Sequence, residues 1–250
     1  MSAPVGRRVV VITGAASGMG AASARQFADQ GDLVVLVDQD RDGAAGLASR
    51  IAGESVAGDV SDSSFCDSTI DGVVERHGRI DVLVNAAGVI HRSVGIDTTD
   101  EHWRRVMSVN VDGLFFMSRA AVRKMQSGDG GAIVNFGSIW GGIGSVGVLA
   151  YCASKGAVHQ ITRAMALEHA TENIRINAVA PGEVDTPMLA SERDCPPSVE
   201  DLQALADATI PMKRLARPEE IAEVVIFLAS NAASYMTGAV VSVDAGYTIR

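Results

Sequence analysis

The chain has 250 residues, 47% of them hydrophobic and 26 of them glycine, and carries a formal net charge of −9 at pH 7. Such a composition supplies a large buried core and excludes a disordered or fibrous chain. The acidic balance argues against a nucleic-acid partner, which a basic face would mark.

In chain order, Arg7 and Arg8 open the run RRVVVIT at 7–13, whose apolar centre Val9 to Ile12 reads as a buried strand. With Ala22-Ser23-Ala24 the run imitates a secretory signal, but it is shorter than a signal core, and Gly14, Gly18 and Gly20 break the chain between the two. Further β-branched runs are DLVVLVD at 32–38, ESVAGDV at 54–60, IDVLVN at 80–85, GAIVNFG at 131–137, IRINAVA at 174–180 and AVVSVD at 239–244. Helical patterns lie near 18–30, 41–51, 62–77, 100–127, 151–171 and 218–230, and Thr98-x-x-Glu101 reads as a capping box for the fourth. Strands apolar on consecutive residues are covered on both faces, with the helices as crossovers. The expected fold is α/β, a doubly wound parallel sheet of about seven strands with helices on both faces, in one domain over 1–250. No segment reaches the roughly 20 apolar residues that span a bilayer. Cys66, Cys152 and Cys195 are odd in number and lack CxxC spacing, so neither a disulfide framework nor a zinc site is expected, and a cytoplasmic location is.

The first strand runs into TGAASGMG at 13–20, where a helix begins. Glycines at such a turn let backbone approach a pyrophosphate, and unpaired N–H groups at a helix start favour negative charge. A tight β–α turn alone would show the same glycines. Asp38, ending the second strand, tips the reading toward a dinucleotide, because a carboxylate there bonds the adenosine ribose hydroxyls. It also repels a 2′-phosphate, and no arginine occupies position 39, so NAD is the expected cofactor even though Arg41 is near. Ala21 after Gly20 rules out a Walker A loop.

More motifs stand in order behind these: Asp59-Val60, NAAG at 85–88, Asn110, Ser138, YCASK at 151–155 and PGEVDT at 181–186. Together they resemble the short-chain dehydrogenase/reductase family over nearly the whole chain. The resemblance implies a Rossmann-type fold and hydride transfer between NAD(H) and a secondary alcohol or ketone. It also implies that Gly14, Ser17, Gly18, Met19 and Gly20 hold the pyrophosphate, that Asp59 and Val60 border the adenine, and that Asn85, Ala86, Ala87 and Gly88 line the cofactor. Pro181, Gly182, Val184 and Thr186 would meet the nicotinamide end, the last two at its carboxamide. A homo-oligomer is implied too, a tetramer pairing the long helices and C-terminal strands.

The chemistry of Tyr151 and Lys155 fits that reading. Oxidising an alcohol requires removal of the hydroxyl proton, and a phenol with reference pKa about 10 is mostly protonated at neutral pH. A lysine at i+4 shares its helix face and favours the ionised phenol. Tyr151 is therefore the expected acid/base and Lys155 its tuner, the latter also bonding the nicotinamide ribose. Ser138 would hold the substrate oxygen, and Asn110 a water in a proton relay to Lys155. His91, His102, His159 and His169 show no metal-ligand spacing and read as solvated or satisfied, so no metal is expected. Trp103, Phe115 and Phe116 read as core or subunit packing, and Cys152 as a small packing residue.

Two residues depart from common family patterns, Trp140 shortly after Ser138 and Glu183 after Pro181-Gly182. They join Ser138, Tyr151 and Met188 as the expected substrate contacts. The segment 186–211 breaks the strand–helix alternation and leaves the edge where ligands bind, which suggests a lid over the substrate. Met188, Leu189, Leu202, Leu205 and Ile210 would form its apolar underside, with Glu192, Arg193, Asp194, Glu200 and Asp201 wet; a fixed subunit contact is the competing reading. Two other functions compete with the oxidoreductase: a noncatalytic NAD(H)-binding sensor, which would have little need of Ser138, Tyr151, Lys155 and Asn110 together, and an epimerase or dehydratase of the extended branch, which typically carries a larger C-terminal region.

Overall fold

The computed structural model describes residues 7–193 and 195–249. The expected strands form β1 (Val9–Thr13), β2 (Leu33–Asp38), β3 (Glu54–Ala57), β4 (Val82–Asn85), β5 (Gly131–Phe136), β6 (Ile174–Pro181) and β7 (Val240–Val243). All neighbours pair in parallel in the order β3-β2-β1-β4-β5-β6-β7, so the chain winds outward from β1 in one direction and then from β4 in the other. The helices are α1 (Gly18–Asp29), α2 (Arg41–Arg50), α3 (Ser63–His77), α4 (Asp100–Met107), α5 (Leu114–Gln126), α6 (Leu149–His169), α7 (Val199–Thr209) and α8 (Pro218–Ala229). None among the described residues is long and apolar enough to cross a membrane.

Consecutive apolar residues in the strands feed two cores. Val10 and Ile12 of β1, with Val34 and Leu36 of β2, pack beneath Phe27 of α1, Leu47 of α2 and Ile221, Val225 and Leu228 of α8. Their neighbours Val9, Val11, Val35 and Val37 point the other way, against Ile70 and Val73 of α3, Met117 and Met125 of α5 and Met165 of α6. Alternation of side chains across a pleated strand requires this split, and burial on both faces explains why the strands read as unbroken apolar runs.

Four expectations need correction. The run at 54–60 is strand only as far as Ala57; at Gly58, which still donates to the Asp38 carbonyl, an added Cβ would stand 2.2 Å from the Phe65 ring. The pattern at 100–127 is not one helix: α4 and α5 are joined by a π-helical turn, Ser108–Gly113, that carries Asn110. The cap of α4 is Thr99, whose side chain accepts from His102 N, while the Thr98 hydroxyl bonds Ser93 and the Val94 carbonyl. Within 186–211, where the sequence shows only a departure from alternation, α7 forms on a reciprocal Ser198 and Asp201 capping box.

A chain of buried amides ties the sheet to its α5 and α6 layer. Asn85 Nδ2 donates to Ser118 Oγ and to Asn135 Oδ1, both at 2.9 Å, and Asn135 Nδ2 donates to Thr162 Oγ1 at 2.9 Å. Replacing Asn135 with leucine strips Asn85 of one acceptor in a water-free setting, where an unpaired donor costs about 1–3 kcal/mol. Asn135→Leu is expected to lower unfolding stability by about that amount, read as a lower urea midpoint with unchanged slope; an unmoved midpoint would show that the network carries no stability.

Candidate active site

The parallel register brings the carboxyl ends of β1, β2, β4, β5 and β6 to one edge, where the winding reverses between β1 and β4. Gly14 leaves β1 with φ +65°, and a Cβ there would lie 2.7 Å from the Ala87 backbone. The Thr13 hydroxyl accepts from Ala86 N and Ala87 N, both at 3.1 Å, holding the two loops together. A Cβ on Gly20 would stand 2.2 Å from the Gly14 carbonyl, so α1 starts directly under the turn. The first N–H groups of α1 have no intrahelical acceptor, and Ser17, its N-cap, makes no side-chain cap. Asp38 is fixed by Ala16 N (2.9 Å) and Asp40 N (3.0 Å), one on each carboxylate oxygen.

These groups border a cavity of about 250 Å³ lined by Gly14, Ser17, Gly18, Met19, Gly20, Asp38, Val60, Ala86, Ala87, Gly88 and Thr186. The glycine cradle, the open helix start and the ribose-ready carboxylate fit a dinucleotide. Of the remaining expected cofactor residues, Asp59 is exposed and caps Ser61 N, Asn85 turns its side chain into the buried amide network, and Pro181, Gly182 and Val184 line a neighbouring cavity. Val37, Gln39, Gly58, Val89, Val109 and Pro187 also border the first cavity. They carry no motif in the sequence; Val37, Gln39, Gly58 and Val89 are signalled only by their place at or just beyond strand ends, while Val109 lies on the π-helical turn and Pro187 in the segment after β6.

The second cavity, about 440 Å³, shares Met19, Thr186 and Met188 with the first. Ser138, Trp140, Tyr151, Glu183 and Met188 all line it, so the five expected substrate contacts meet in one space. Trp140 stands edge-on to the Tyr151 ring with centroids 6.1 Å apart. Cys152 packs beside Ile90, Val148 and Tyr151, as a small packing residue should. Arg92, which carries no sequence signal, and Arg193, expected only as a wet residue of the 186–211 segment, are there as well.

Tyr151 and Lys155 sit on α6, both buried. Burial pushes the Tyr151 hydroxyl up to about 12, partly offset by a hydrogen bond with Ser138, and pushes the Lys155 ammonium down to about 8. Lys155 Nζ donates to the Phe136 carbonyl at 2.7 Å and lies 5.5 Å from the Tyr151 ring centroid. In the protein alone, desolvation is the largest influence on the phenol. Asn110 accepts from Val89 N at 2.8 Å and donates to the Val89 carbonyl and to Ser154 Oγ, bridging the loop after β4 to α6. The place a Gly88 Cβ would take is 3.4 Å from Asn110 Oδ1 and 3.7 Å from Lys155 Nζ, so the two groups face a common point.

The histidines are paired: His91 with Glu192, His102 with Thr99, and His169 with Glu172. His159 is buried between Gly137 and Gly141, where added Cβ atoms would come within 2.4 and 2.7 Å of its ring, and Nε2 accepts a long 3.5 Å bond from Ser138 N. Burial, aided by Arg163 and Lys155, lowers it to about 4.

Segment 186–211 covers the second cavity with Met188, Leu189, Leu202 and Leu205, while Ile210 is buried. Glu192 is exposed, as expected, but it is not unpaired. It bonds His91 Nδ1 at 2.9 Å and Arg105 Nη1 at 3.0 Å, and Arg92 donates to the Ser191 and Met188 carbonyls. Arg193 and Asp201 line the cavity, Glu200 is exposed, and Asp194 lies outside the described residues.

The family model described as Enoyl-(Acyl carrier protein) reductase matches residues 14–248. Cis-4-hydroxycyclohexanecarboxylate dehydrogenase of Sinomonas cyclohexanicum is 41% identical, with 96% of each chain covered. Galactitol 2-dehydrogenase (L-tagatose-forming) of Cereibacter sphaeroides is 42% identical over 95% of this chain and 94% of that one. Among solved structures, 3-ketoacyl-(acyl-carrier-protein) reductase from Brucella melitensis complexed with NADH superposes with a TM-score of 0.89 at 34% identity, covering 96% of this chain and 98% of that one.

Proposed function

The chain belongs to the short-chain dehydrogenase/reductase family and is an alcohol/ketone oxidoreductase using a nicotinamide cofactor; from that premise we propose that the cofactor is NAD and that Tyr151 moves the substrate proton. The observation that carries the reading is the convergence of Ser138, Tyr151 and the cavity wall beside a second cavity built from the glycine turn and Asp38. In it, the N–H groups at the start of α1 hold the pyrophosphate and Asp38 accepts from the adenosine ribose hydroxyls. Bound there, a nicotinamide would supply the hydride acceptor for alcohol oxidation and the hydride donor for ketone reduction. Ser138 donates to the substrate oxygen, and Tyr151 takes the hydroxyl proton during oxidation and gives it back during reduction. Lys155 holds the nicotinamide ribose, and a water held by Asn110 passes the proton outward from Lys155.

Segment 186–211 is proposed as the lid of this site, with Glu192 as its latch on His91 and Arg105. Excluding water protects the hydride path. Trp103, Phe115 and Leu167 expose apolar surface on α4, α5 and α6, which suits the homotetramer proposed from the family resemblance.

Oxidation needs the phenolate and reduction the phenol. Because burial raises the Tyr151 pKa, alcohol oxidation at saturating cofactor is expected to climb with pH well into the alkaline range, while ketone reduction holds at neutral pH and falls only above it. Tyr151→Phe should abolish both and leave cofactor binding by titration intact; more than a few percent residual turnover would remove Tyr151 from the role.

Asp38 places a carboxylate where a 2′-phosphate would go, so wild type should favour NAD over NADP by about tenfold or more in kcat/KM. Asp38→Ser should narrow the ratio. Equal efficiency with both cofactors in the wild type would refute the assignment.

Hydrogen exchange tests the lid. Amides of 186–211 should gain protection with NAD plus a ketone-like inhibitor, and full protection in the free protein would identify the segment as fixed packing instead.

A further inference from the structure

The cavity beside Tyr151 holds a charged group that proton and hydride transfer do not use. Glu183 stands beyond the end of β6, next to Gly182, and its backbone is held by the Ala216 N–H at 3.0 Å and the adjoining Val184–Ala216 bridge. Its carboxylate lies in the fields of Arg92 and Arg193 and acts in turn on Tyr151, all of which line the same cavity. Among the described residues it receives no hydrogen bond and has no cation within 4.0 Å. Arg92 is similarly incomplete: Nε and Nη2 reach the Ser191 and Met188 carbonyls, and Nη1 reaches no acceptor among the described residues. The wall around them is apolar, with Ile90, Trp140 and Val148.

A half-buried carboxylate without a donor and a guanidinium with an unused N–H ask for one ligand group that donates to the first and accepts from the second. A hydroxyl does both. An alkyl group would leave Glu183 desolvated and unpaired, an ether or ketone oxygen could not donate to it, and a ligand carboxylate would be repelled by it. Building on the proposed placement of the reacting alcohol at Ser138 and Tyr151, we propose that the substrate carries a second hydroxyl, making it a diol or polyol, and that Glu183 selects it by accepting that hydroxyl's proton in a hydrogen bond while Arg92 donates to its oxygen. The second hydroxyl is bound and not oxidised: only the carbinol at Tyr151 loses its hydride to the nicotinamide and its proton to the phenolate.

The test compares kcat/KM with NAD for cyclohexanol and for the 1,2- and 1,3-cyclohexanediols in wild type, Glu183→Ala and Glu183→Gln. At least one diol should exceed cyclohexanol by about ten- to a hundredfold in wild type, the range expected for a hydrogen bond to a charged group. The diol-to-cyclohexanol ratio should fall at least about tenfold in Glu183→Ala and partly recover in Glu183→Gln, which keeps an acceptor. A ratio that survives Glu183→Ala overturns the proposal, as does a wild type that turns over cyclohexanol as well as any diol; either leaves the Tyr151 reading standing. Failure to oxidise any of these alcohols overturns this proposal together with that reading. If Glu183→Ala does not fold, the wild-type ratio and its change in Glu183→Gln decide.

Discussion

The approach of Gly14 to Ala87, where the winding of the sheet reverses, is the constraint on which the site depends. It requires φ +65° and no side chain at position 14, because a Cβ would fall inside van der Waals contact of the Ala87 backbone. Thr13 then fastens the loop after β4 to the end of β1 through two backbone N–H groups. With that loop in place, Gly88 and Val89 lie against Asn110, and Asn110 reaches Ser154 on α6. The position of Tyr151 and Lys155 relative to the glycine turn thus runs through a short series of hydrogen bonds, built from main chain and a few small polar side chains.

The same arrangement sets the electrostatics. Lys155 is buried with a single carbonyl partner and Tyr151 with Ser138, so both are held toward their neutral forms. A buried pair in this state gains much from any ligand that brings charge or hydroxyl groups into the cavity, since low surrounding polarity strengthens such contacts. The reactivity proposed for Tyr151 is accordingly a property of the assembled complex more than of the lone chain.

Much of this is legible in the sequence. Buried parallel strands announce themselves as unbroken β-branched runs, and all seven form, with ends displaced by a few residues. The glycine turn is legible because close backbone approach admits no other residue. The features that sequence does not disclose depend on tertiary contact. The π-helical turn at Ser108–Gly113 serves Asn110's reach to Val89 and Ser154, which no local pattern encodes. Arg92 and Arg193 lie in irregular chain about a hundred residues apart, and only folding shows that they share a cavity with Glu183. Asn85 heads the NAAG motif and so is expected beside the cofactor, yet strand alternation turns its amide inward to Ser118 and Asn135.

His159 adds a different kind of consequence. Its ring fills the gap between Gly137 and Gly141 and touches the backbone N–H of Ser138. Because its pKa is held near 4, the imidazole keeps one charge state from mildly acidic to strongly alkaline solution. It fills the space beneath the serine with a ring whose charge does not change over that range, so the packing there does not follow the acidity of the solution. A titrating group in that slot would have coupled the shape of the site to the acidity of its surroundings; this one separates them.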